Sequence, residues 1–182
     1  HWLNFKRYKS DVAKQAVPPH LNAAEFARHY ADKPQTDTEE YLSLSGEMCW
    51  DAVVLCAHRS GALSKAKYKQ LWQTVFDKQY KHFVSPDDTE IRTMADMLRA
   101  PQGCFIGIFS LRDAAAPRLL HAMIGTGAGF AAGNKNLCIG VGGAVGWENL
   151  NLARDLRWQP EGGFLRQGDN EVLRIFYRPF PA

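Results

Sequence analysis

The chain has 182 residues, 46% apolar and 12% aromatic, which excludes a disordered polypeptide and suits one domain with a real core. Its 22 basic and 19 acidic residues leave a formal charge of +3 with the signs interspersed, whereas nucleic-acid binding would want a concentrated basic stripe. No apolar run reaches transmembrane length, and Cys49, Cys56, Cys104 and Cys138 lack the CxxC spacing of a zinc knuckle.

The chain begins basic and polar, from His1 to about Pro19, and ends that stretch in Val17-Pro18-Pro19, which reads as an arm or linker. Asn22 is a cap for a short helix over 23–31, with Phe26, Ala27 and Tyr30 on one face. Tyr41 to Ser45 alternates, and Gly46 then frees the backbone for a turn into a helix that starts near Cys49. That helix runs to about Arg59 and stops at Gly61, a natural residue for the position after a helix end. Ser64 begins a long amphipathic helix with Tyr68, Leu71, Trp72, Val75, Phe76 and Tyr80 at helical spacing. The cluster Lys65-Ala66-Lys67-Tyr68-Lys69 is then its solvated face. Ser85-Pro86-Asp87-Asp88 is expected to cap a third helix carrying Ile91, Met94, Met97 and Leu98 and closed by Pro101.

The pattern then turns to strands. Cys104 to Phe109 is a short β-rich run, 113–117 a loop, and Arg118 to Thr126 a second strand carrying His121. Gly127, Gly129 and Gly133 break the chain into short turns, and 137–141, 145–152 and 171–177 are further strand candidates. Helices first and an antiparallel sheet afterwards predict an α+β domain. Residues 1–40 form the arm and short helix, and 41–182 the main domain.

One pair of residues carries chemistry. A thiol at a helix N-terminus is pushed toward thiolate by the free N–H groups and the dipole, so Cys49 is expected to be alkylated before the other three cysteines. His121, delivered from a separate strand, can take or stabilise its proton. A single cysteine beside an apolar helix usually serves packing, and a single strand histidine is usually structural. Their order, the Gly46 turn and the sheet context favour the pair. Cys56, Cys104 and Cys138 are expected to be buried small hydrophobes, and free thiols rather than disulfides. His20, His29, His58 and His82 have no comparable partner. The stretch 140–146 lacks a GxGxxG pattern or a P-loop lysine, and the spacing of His121 and Cys138 matches no ligand pattern, so neither cofactor nor metal is expected.

In Met48-Cys49-Trp50-Asp51 and in Leu120-His121-Ala122-Met123-Ile124, the latter followed by a glycine-rich turn, the chain resembles the papain-like cysteine protease and deamidase superfamily. It is most similar to compact bacterial effectors and toxins: the AvrPphB/YopT proteases, the TecA deamidase and the catalytic domain of Pasteurella toxin. The resemblance covers roughly residues 44–152. It implies a papain-like α+β fold, with a helical half packed on a sheet, Cys49 as nucleophile and His121 as base and acid. It also implies a polar third residue on the strand after the histidine, about 15 residues on. Asn136 stands there, with Asn134, Glu148 and Asp155 as alternatives. The oxyanion hole would use the backbone N–H of Cys49. Where papain-type enzymes place a glutamine, this chain has Ser43, so the second donor falls to Ser43, Ser45 or an amide near Gly46, with Glu47 facing solvent.

The resemblance implies a secreted protein translocated into a target cell and acting in its cytosol on a protein substrate, by side-chain deamidation or proteolysis. An immunity or chaperone protein is a possible partner; nucleic acid and a membrane span are not expected. The alternatives are a periplasmic peptidoglycan amidase and a non-catalytic binding module on a degenerate papain-like fold.

Overall fold

The computed structural model describes residues 18–31, 48–72, 81, 84–135, 137–143 and 146–180. Helix α1, Pro19–Ala31, begins with proline at its first position, where a missing N–H costs nothing. The Pro18 carbonyl accepts from the N–H groups of Leu21 and Asn22, both at 3.0 Å. The helix therefore starts earlier than expected, and Asn22 lies inside it rather than capping it. Helix α2 is Cys49–Arg59, and Gly61 takes φ 90° just past its end, a conformation natural to glycine. Helix α3 is Lys65–Trp72, opened by Ser64, whose Oγ accepts from the Lys67 N–H at 3.1 Å. The expected continuation of α3 over Val75, Phe76 and Tyr80 lies outside the described residues, as do 1–17, 32–47 and Asn136.

The expected third helix is corrected. Ser85 to Asp88 forms a turn, and Thr89–Ile91 is a strand, β1. The helix, α4, is only Met94–Arg99, opened by a capping box between Thr93 and Asp96. Strands β2, Cys104–Ser110, and β3, Arg118–Gly127, follow as expected. The glycine-rich turns contain a strand that the sequence reading missed, β4, Phe130–Asn134. The segment 137–141 is loop rather than strand. Then come β5, Trp147–Asn151, the short helix α5, Leu152–Asp155, the two-residue strands β6, Arg157–Trp158, and β7, Phe164–Leu165, and finally β8, Val172–Pro179.

All pairings described are antiparallel, in the order β5-β4-β3-β2-β8-β7-β6, with β1 added to β8. The result is an α+β domain with an antiparallel half-barrel sheet. Alternation along the strands divides the core in two. Phe105, Ala122, Ile124, Ala132 and Trp147 face α1, α2 and α3. Ile106, Ile108, Met123, Ala131 and Ile175 face the other way, toward α4, α5 and Ile139. Helix α1 is thus part of the main core and not an appendage: Phe26 and Ala27 are buried, and the Ala27 carbonyl accepts from Trp147 Nε1 at 2.8 Å. Among the described residues no helix is long and apolar enough to cross a membrane.

Candidate active site

Helix α2 begins on Cys49 itself. Met48, the preceding cap residue, is extended, and its side chain makes no cap hydrogen bond. The first-turn N–H groups of α2, including that of Cys49, therefore lie outside the intrahelical ladder. Asp51 in the first turn and His58 and Arg59 in the last complement the dipole. The other end of the site is on β3. Its ladder with β4 has its last partners at Ile124 and Ala132, although β3 continues back to Arg118 and β4 forward to Asn134. Into this parting comes the Cys49 sulfur, which accepts hydrogen bonds from the backbone N–H groups of Ala122 and Trp50. Ala122 is next to His121 in the chain, but the two face opposite sides of the sheet. Helix α2 and Cys49 pack on the Ala122 face, whereas His121, paired with Ile108, faces the other core. Thiol and imidazole can therefore meet only through the gap where β3 and β4 part.

The electrostatics differ from the sequence expectation. Burial pushes the Cys49 thiol up from 9.0 to about 11, against the Ala122 and Trp50 N–H groups, while Cys138 and Asp51 add to the rise. The helix N-terminus alone would lower it, and burial wins. His121 is 1% exposed, and burial pushes its imidazole down from 6.5 to about 4. The resting site therefore holds a neutral thiol and a neutral imidazole. The latter is the form that accepts a proton.

The neighbourhood of His121 is shaped by Gly133. A Cβ there would stand 3.6 Å from His121 Nε2 and 3.1 Å from the Ala122 carbonyl oxygen. Gly133 is paired with Glu148 on β5, and cross-strand partners share a face. Glu148 is buried and its pKa is raised by that burial, but its Oε2 accepts from the Gly143 N–H at 3.0 Å. That bond ties one oxygen of the carboxylate to the 140–143 loop. Asn134 is buried beside Trp147, on the helix-bearing face with Ala132, whereas Gly133 and His121 Nε2 lie together on the opposite side. Asp155 is engaged by Arg154 through Nε at 2.7 Å and Nη2 at 3.1 Å, and those bonds hold its pKa down. Asn136, Ser43, Ser45, Gly46 and Glu47 fall outside the described residues.

The remaining cysteines split. Cys56 and Cys104 are buried as expected, whereas Cys138 is exposed on the loop rather than in a strand. Its thiol is among the influences that raise the Cys49 thiol. Trp50 and Trp147 are core residues, and His58 stacks on Tyr68 at 4.4 Å. Among the described residues no group of three or more His, Cys, Asp or Glu could hold a metal ion. Two features escaped the sequence reading: the Ala122 N–H, which any residue would supply, and the missing side chain at Gly133, which looked like one more turn glycine. Comparison of the chain with protein families, curated proteins and solved structures gives no match.

Proposed function

We propose that the protein is a papain-like cysteine hydrolase of the bacterial effector type, with Cys49 as nucleophile and His121 as its base and acid. The observation that supports this best is the thiol at the first residue of α2, hydrogen-bonded to the backbone beside His121 where β3 and β4 part. The neutral pair favours general-base catalysis over a resting ion pair. As the sulfur attacks an amide carbonyl, His121 takes its proton, and the protonated imidazole then gives that proton to the leaving nitrogen. The oxyanion forms against the Cys49 N–H. Water then attacks the acyl-enzyme, with His121 again as base, and frees the carboxylic acid. Asn136 is the orienting residue in this reading, the position the resemblance implies, and Glu148, on the face shared by Gly133 and His121, is its alternative.

The substrate is a protein in the cytosol of a target cell, attacked at a side-chain amide or at a peptide bond. The test is expression of wild type, Cys49→Ala and His121→Ala in a eukaryotic cytosol, with mass spectrometry of the host proteins. A gain of about 1 Da at an Asn or Gln identifies deamidation and a new chain terminus identifies proteolysis, since both pass through the same acyl-enzyme. Either product must vanish in both variants. Lysis of bacteria by a periplasm-directed form alone would favour the peptidoglycan amidase, and identical behaviour of all three proteins everywhere would favour the binding module.

A further inference from the structure

We propose that a cavity at the start of β3 binds an oxyanion of the substrate, a carboxylate or a phosphate, close to the attacked amide; calling the ligand a substrate rests on the hydrolase reading above. The cavity, about 260 Å³, lies between Ser110 at the end of β2, Arg112 in the following turn, Arg118 and Leu120 on β3, and Arg166 and Glu171 before β8. That volume suits a single side chain rather than a large cofactor.

Its place links it to the candidate site by two routes. Leu120, which lines it, is the extra residue of a β-bulge: Ile108 pairs with His121 and Phe109 with Leu119, leaving Leu120 between them. Bulges re-aim side chains next to functional sites, and this one separates the cavity from His121 by a single residue. Arg166 supplies the second route. Its Nη1 donates to the Cys138 carbonyl at 3.0 Å, tying the cavity wall to the loop whose thiol influences Cys49.

Arg112, Arg118 and Arg166 line the cavity with Asp113 and Glu171, and Asp169 is paired with Arg166, so the charges balance and the case for an oxyanion rests on unused donors. Glu171 accepts from the Ser110 hydroxyl and, through Oε2, from Arg112 and Arg166 at 3.2 Å each. Asp113 accepts from the Ala115 N–H within its own turn. Arg166 is further held by Asp169. Arg112, by contrast, uses only Nη2 among its donors in these bonds, and Arg118 has no carboxylate partner among the described residues. Arg112 and Arg118 thus keep guanidinium donors for a further oxyanion. Charge-assisted bonds of this kind are the strong ones.

The test uses the Cys49→Ala protein, so that binding is read without turnover. Its ¹⁵N amide spectrum is titrated with inorganic phosphate and with three short capped peptides that differ only in carrying glutamate, phosphoserine or glutamine. Saturable shifts at 110–118 and 166–171 are expected with the charged probes and not with the glutamine peptide, and the tighter peptide names the oxyanion. Arg118→Gln should weaken that binding about tenfold, the loss of one charge-assisted bond. Glu171→Gln should tighten it by releasing Arg112 and Arg166. Equal shifts with the glutamine peptide would overturn the proposal, as would shifts that never saturate or affinity unchanged in both Arg118→Gln and Arg112→Gln. Because no arm needs the thiol, a failed Cys49 reading and a failed anion site give different results.

Discussion

The state of the resting thiol decides how this site would work, and alkylation measured against pH reads it directly. Burial raises the Cys49 thiol from 9.0 to about 11, so at neutral pH only about one molecule in ten thousand carries the thiolate. The thiolate is the species that reacts with iodoacetamide, and the displacement alone slows Cys49 roughly a hundredfold relative to an unshifted thiol. Its labelling rate should climb tenfold for each pH increment of about one from neutrality and level off only near 11. Peptide mapping should find Cys138, which is exposed, modified ahead of Cys49, with the buried Cys56 and Cys104 modified only on unfolding. That order reverses the one expected from the helix N-terminus alone. His121→Ala should leave the profile in place, because a neutral imidazole does not hold the resting thiolate. A rate already at its plateau near pH 6, and lost in His121→Ala, would refute the burial argument and restore a preformed thiolate–imidazolium pair.

Three further outcomes follow from the same structure. His121 is held below its ordinary value, from 6.5 down to about 4, so the folded state binds fewer protons than the unfolded chain. Its contribution is complete above the unfolded value and is lost as pH falls through that window, an upper bound of about 3 kcal/mol. Urea midpoints at pH 7 and 4.5 should fall in wild type and much less in His121→Gln, with Glu148, whose pKa burial raises, working weakly in the opposite sense. Cys49 and Cys104 are raised to about 11 and 12, so stability present below their unfolded value near 9.0 should be lost as pH rises beyond it, which thermal melts between pH 8 and 11 would show. Gly107→Ala should cost at least 1–3 kcal/mol, roughly the price of overpacking, because a Cβ there would lie 2.6 Å from the Phe109 ring and 2.8 Å from Val84; an unchanged urea midpoint would contradict that packing.

What the sequence made legible was whatever depends on periodicity and punctuation. The start and end of α2 near Cys49 and Gly61, the Ser64 cap, and the β2–β3 pair are written in residue types whose backbone preferences coincide with the fold. The failures share one cause: tertiary partners overrode local signals. Thr89–Ile91 resembles a helix start in isolation but is recruited as a strand by β8, and the helix waits for the Thr93–Asp96 capping box. Phe130–Asn134 looks like turn material, yet its small residues let β4 lie between β3 and β5. The candidate site divides in the same way. Residue type and order single out Cys49 and His121 as candidates. The factors that set their chemistry, burial of both groups and a backbone donor at Ala122, belong to no side-chain pattern. Had Cys49 stood at an exposed helix end, the dipole would have governed its thiol and a resting thiolate would have followed. Packed against β3, its thiol is neutral at rest. In the proposed mechanism it would depend on His121 at the moment of attack, so loss of His121 should abolish any turnover while barely changing the resting reactivity of the thiol.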